Sequence, residues 1–138
     1  MKKLFLLATI AIVLTTQSIY AQTYLKFVNN SNQNISACYA KYLYPTDVWQ
    51  SCGWWIIPAG GTKQINIGSN FNGSTIYVYG LGSKGGVWGV GKKFAVGSIS
   101  SAFTIDNADG NTEEGTLKPF FEFKGIVKGK VNTWTFRP

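Results

Sequence analysis

The sequence predicts an all-β protein, an antiparallel β-sandwich or small barrel of about nine short strands. Three observations point there. No stretch after residue 21 carries apolar residues at helical spacing, whereas short runs of aromatic and β-branched residues recur between turn-formers. Glycine supplies 16 of 138 residues and aromatics 15%. Charged residues are 14%, against about 25% in typical domains, which disfavours long salt-bridged helices. The length allows one domain with one substantial core.

The chain opens with Lys2 and Lys3, an apolar run over 4–14, polar Thr15 to Ser18, and small Ala21 before Gln22. This charged, apolar and polar order is that of a secretory signal peptide, with cleavage expected after Ala21. The apolar run is shorter than the roughly 18 residues of a membrane span, so the mature chain is expected to hold no transmembrane segment. Residues 22–138 then form a single β domain, secreted or periplasmic in a bacterial cell. Of 13 basic residues, 11 remain after Lys2 and Lys3 are removed; against 6 acids they give a net charge of +5.

The strands follow in order. Residues 23–28 mix aromatic and β-branched types and stop at Asn29-Asn30-Ser31-Asn32. Residues 35–42 run to a turn at Tyr44-Pro45, and 48–57 end at Pro58-Ala59-Gly60-Gly61. A hairpin centred near Pro45 sets position 38 opposite position 52. In an oxidising compartment this predicts a Cys38–Cys52 disulfide, the only use two cysteines without a C-x-x-C spacing suggest. Residues 62–67 alternate, with Ile65 and Ile67 on one face. Thr75 to Tyr79 follows Asn72-Gly73 as a strong strand; 87–96 and 102–105 come next. Residues 120–127 and 131–136 are expected to pair through Lys128-Gly129-Lys130.

Motifs with chemical content are few. The absence of histidine removes imidazole metal ligands and His-based triads. Gly80-Leu81-Gly82-Ser83-Lys84-Gly85 matches G-x-G-x-x-G, and Gly86 to Lys93 nearly spells a phosphate loop. Both sites need a following helix whose amino end meets phosphate, and the glycines that follow forbid one. No nucleotide and no cofactor are expected. The loop from Asp106 to Glu114 holds four of the six acids around Gly110. It reads as a solvated loop, with a hard cation such as calcium as the lesser reading, since the calcium-loop register is not met. These carboxylates are also the only basis for a hydrolase, and they crowd one loop rather than facing across a cleft.

The aromatic residues remain. Tyr42, Tyr44, Trp49, Trp54, Trp55, Tyr77, Tyr79, Trp88 and Trp134 are numerous for so small a domain. Flat rings stack on sugars and anchor binding surfaces when exposed. Strand alternation keeps Trp54 and Trp55 off the same face, so one lies outward or against a second layer. Lysines crowd the second half, at 92, 93, 118, 124, 128 and 130, with Arg137. The expectation is a non-catalytic binding module for a glycan or an anionic envelope component. Its ligand residues are expected to be Trp54, Trp55, Trp88, Tyr77 and Tyr79, with Lys92 and Lys93 as a basic rim. The alternatives are a factor that binds a protein partner (a toxin, a protease or secretion machinery) and the carboxylate hydrolase.

The run Trp49-Gln50-Ser51-Cys52-Gly53-Trp54-Trp55-Ile56-Ile57-Pro58-Ala59-Gly60 resembles the domain of unknown function 1036 family, small, mostly bacterial exported proteins. Phe27-Val28-Asn29, Ile35 with Ala37, Tyr77-Val78-Tyr79, Trp88, Lys93-Phe94, Phe103, Phe121 and Phe123 agree in order. The resemblance covers roughly residues 24–102. It implies an all-β exported domain and no particular activity. The places where that family often carries cysteine hold Val28, Lys63 and Ala95 here.

Overall fold

The computed structural model describes residues 21–138, all of them strand, turn or loop. The signal peptide expected over 1–21 lies, but for Ala21, outside the described residues. Eleven strands form: β1 Thr23–Asn29, β2 Ile35–Tyr42, β3 Trp49–Ile57, β4 Thr62–Gly68, β5 Thr75–Gly82, β6 Val87–Trp88, β7 Lys93–Val96, β8 Phe103–Asp106, β9 Thr116–Pro119, β10 Phe121–Lys124 and β11 Val131–Phe136. The fold is an all-β sandwich without a closed barrel.

Three layers stack. The middle one is antiparallel, in the order β10-β5-β2-β3-β8, with short β6 beside β5. A three-stranded sheet, β11-β1-β4, covers one face and a two-stranded ribbon, β7-β9, covers the other. Alternation along β2 feeds both interfaces. Ile35, Ala37 and Tyr39 enter a first core with Leu25, Phe27, Ile65, Ile67, Val78 and Phe136. Cys38 and Ala40 enter a second with Tyr79, Phe94, Val96, Ile105 and Phe120. A strand buried on both faces reads as a continuous apolar run, as Ile35 to Tyr39 nearly does.

Three expectations need correction. The β2–β3 hairpin forms, but Tyr39 pairs with Cys52 and Cys38 with Gly53. A one-residue difference in register puts the thiols on opposite faces, Cys38 in the second core and Cys52 against the first. Both cysteines are therefore free thiols and no Cys38–Cys52 disulfide exists. Secondly, β10 and β11 do not pair with each other: β10 pairs with β5, and β11 runs parallel to β1. Phe136 is buried in the first core and Phe123 and Trp134 pack against it, apolar burial between sheets that a lone hairpin lacks. Thirdly, the expected strand 87–96 is two strands. Gly91 takes a left-handed backbone (φ 112°), and a Cβ at Gly89 would collide with the carbonyl oxygen of Pro119. The chain therefore leaves the central sheet there and joins the covering ribbon.

Candidate functional site

A cleft of about 950 Å³ opens along one side of the sandwich. There β10 and β6 edge the central sheet and β11 edges the outer one. Alternation on β10 sends Phe121 and Phe123 to the face of their partners Val78 and Ile76, toward β11. Trp134 meets both rings, with centroids 5.7 and 5.2 Å away. Trp88 closes the row, pairing with Gly80 and packing edge-on against Phe136 at 6.0 Å. Its indole N–H donates to the Arg137 carbonyl oxygen at 2.6 Å, which ties the end of β11 to β6. The buried indole N–H of Trp134 has no hydrogen-bond partner among the described residues.

Polar groups come from a loop that the core itself holds. Asn29 is fully buried and donates to the carbonyls of Gln33, Ile57 and Pro58, while its Oδ1 accepts from the Ser31 N–H and hydroxyl. This fixes Ser31, Asn32 and Gln33 at the cleft. Gln33 Oε1 in turn accepts from the backbone N–H of Lys84 at 2.8 Å and of Gly86 at 3.2 Å. A Cβ on Gly86 would lie 2.6 Å from Gln33 Nε2 and 2.7 Å from the Trp88 ring. The glycine-rich run 80–91 thus serves close packing around Gln33 and Trp88, with no helix after it. Thr133, Thr135 and Arg137 complete the wall. Arg137 is the only charged side chain lining it, and none of the six carboxylates does.

The structure separates the residues expected to bind ligand. Trp88 alone lines this cleft. β3 carries one extra residue at Trp54, between Gly53 facing Cys38 and Trp55 facing Ala37. Alternation keeps the two tryptophans on opposite faces, and because both faces of the central sheet are covered each packs against a different core. Trp55 stacks on Tyr39 at 5.6 Å. Trp54 packs on Phe103 at 5.5 Å and reaches the carbonyls of Gly97 and Ser98. Tyr79 is buried against Phe120. Tyr77 and Lys92 gather around Trp49 on the opposite face of the central sheet, and Lys93 is exposed at the start of β7. Phe121, Phe123, Asn32, Gln33 and Arg137 were not expected here. The Phe-x-Phe spacing and the Thr133-Trp134-Thr135 run are the sequence signals that mark this wall.

Elsewhere the acidic loop surrounds a shallow hollow of about 400 Å³ at Asn107, Asp109, Gly110, Asn111 and Glu113. Among the described residues no three acidic or cysteine groups converge as cation ligands. Asp106 instead accepts from Gln50 Nε2 at 2.9 Å, and Asn111 bonds within the loop. Burial raises the pKa of Cys38 and Cys52 above the ordinary thiol range and lowers that of Lys41, whose ammonium donates to the Ile67 carbonyl at 2.7 Å. Neither thiol is thereby activated as a nucleophile. Comparison with family models, with curated proteins and with solved structures finds no match to this chain in any of the three.

Proposed function

We propose that this chain is an exported, non-catalytic carbohydrate-binding module that takes a sugar chain in the cleft between β10 and β11. The observation that carries the reading is the lining. Aromatic Trp88, Phe121, Phe123 and Trp134 stand beside polar Asn32, Gln33, Thr133 and Thr135 and basic Arg137. Sugar rings present C–H faces that stack on flat aromatics, and hydroxyls that need planar donors and acceptors at the rim. A wall without Asp or Glu side chains offers no side-chain acid–base pair for cleaving a glycosidic bond. The leader read at residues 1–21 supports export.

Glycan-array screening of the protein, followed by calorimetry on the best ligand, tests this. Arg137→Ala and Trp88→Ala are each expected to weaken binding by more than about tenfold with β circular dichroism retained. A sugar ligand that binds both variants as it binds the parent refutes the cleft as its site.

A protein partner is the second reading, favoured by one surface. Exposed Ile56 and Val87 flank Ser36 and Leu81 in a single cross-strand row, outside the ribbon's cover. Loss of a captured partner on Ile56→Asp, with sugar binding intact, would favour it.

A further inference from the structure

We infer that a second site, on the other face of the central sheet, takes a sugar unit bearing an anionic group. It goes beyond the first cleft and uses none of its residues. Tyr42 and Trp49 are directly opposite one another on β2 and β3, with ring centroids 5.2 Å apart. Trp49 is held from behind by Tyr77 at 5.4 Å and Phe94 at 5.1 Å. The ring pair borders an open cleft of about 530 Å³ whose other walls are Asn72, Gly73, Ser74 and Thr75. An aromatic platform with amide and hydroxyl groups at its rim is the arrangement that a pyranose ring fits.

Two lysines lie next to residues of its walls, Lys92 beside Trp49 and Lys124 beside Thr75. Lys92 Nζ lies 4.5 Å from the Trp49 ring centroid and 5.5 Å from that of Phe94, and among the described residues it has no carboxylate partner. Its seat is the π-face of a ring that itself borders the cleft, and a four-carbon stem lets the ammonium swing to a nearby anion. Lys124 is the cross-strand partner of Thr75, which borders the cleft, and so shares its face of the central sheet. Glu122, 3.2 Å from Lys124, neutralises part of that charge and leaves Lys92 unopposed. The site is thus positive, ring-floored and hydroxyl-rimmed. A neutral sugar uses only the last two properties; a carboxylated or sulfated one uses all three.

Calorimetry of the protein with an oligogalacturonate, its fully methyl-esterified form and a sulfated oligosaccharide of equal length tests the inference. The acid oligomer is expected to bind at least tenfold more tightly than its ester, with affinity falling as salt rises. The sulfated arm tells carboxylate preference from general anion binding. The exposed double variant Lys92→Gln, Lys124→Gln is expected to remove at least tenfold of the acid affinity, and Lys63→Gln, at an exposed position of β4 outside both clefts, to leave it unchanged. Equal binding of acid and ester, no binding of either anionic oligomer, or an unaffected double variant overturns the second site. Loss through Arg137→Gln alone assigns the anion to the first cleft and overturns this one, while leaving the first proposal standing.

Discussion

Asn29 is the residue on which the first cleft depends. Its amide makes five hydrogen bonds in a fully buried position, joining the end of β1 to β3 and to the 31–33 loop. Removing one partner from such a set leaves the others desolvated and unpaired, which costs more than the bonds contribute on paper. Asn29→Ala is expected to lower unfolding free energy by about 3 kcal/mol in urea titration. It should also weaken sugar binding in whatever fraction remains folded, because Asn32 and Gln33 lose their anchor. A change below about 1 kcal/mol would show that the loop is held by something else. The Phe27-Val28-Asn29 step was visible as a piece of sequence, but the burial of Asn29 was not, since asparagine before Asn30-Ser31-Asn32 reads as turn. The cysteines failed for a related reason. A separation of fourteen positions fits a cross-strand pair only if the turn centre falls on a residue, and here it falls between Pro45 and Thr46.

At the scale of elements, strand existence was legible and strand partnership was not. The alternation in 62–67 and the β-branched run at 75–79 appear as β4 and β5. The short β9, ended by Pro119, was missed because four residues carry too little periodicity. Its partner β7 exists because glycines let the chain turn away after Trp88. Gly89 sits where an added Cβ would overlap the Pro119 carbonyl oxygen and, at 2.8 Å, the Tyr79 ring as well. Gly89→Ala is therefore expected to cost about 2 kcal/mol by chemical denaturation. Gly110→Ala, at a position with open space around it, is expected to change stability by less than about 0.5 kcal/mol. Equal effects would mean that the β6–β7 crossover tolerates a shift.

Across the whole molecule, burial of titratable groups sets a pH dependence. Burial raises Cys38, with Cys52 adding to the shift, and burial likewise raises Cys52 and Tyr39. A group held protonated by the fold contributes in full below its unfolded pKa, then loses that contribution as pH rises toward the folded value. Lys41 runs the other way, because burial lowers it and its penalty is relieved as pH approaches the ordinary lysine range. Below about pH 10 the two thiols oppose Lys41, each acting with a slope of up to about 1.4 kcal/mol per pH unit, and Tyr39, Tyr77 and Tyr79, also raised by burial, add to the fall above that. Stability is expected to fall above about pH 8.5, where exposed thiols ionise. Denaturation midpoints of the parent and of Cys38→Ala, Cys52→Ala between pH 8 and 10 check this; the double variant should fall less steeply, and parallel curves would refute it.

What the chain determined alone is local: turn-formers at short intervals, strand-favouring residues between them, and no apolar stripe of helical period. Those features act over a few residues, through backbone sterics and side-chain alternation, and they suffice for an all-β sandwich. Tertiary structure decided which edges meet. Phe121, Phe123 and Trp134 stand together only because β10 joins β5 while β11 joins β1, a choice made by apolar area buried between sheets. Likewise Trp54 and Trp55, adjacent in the chain and expected at a surface site, pack against separate cores because both faces of the central sheet are covered. Burial between layers is a sum over distant partners, and no short window of sequence contains it.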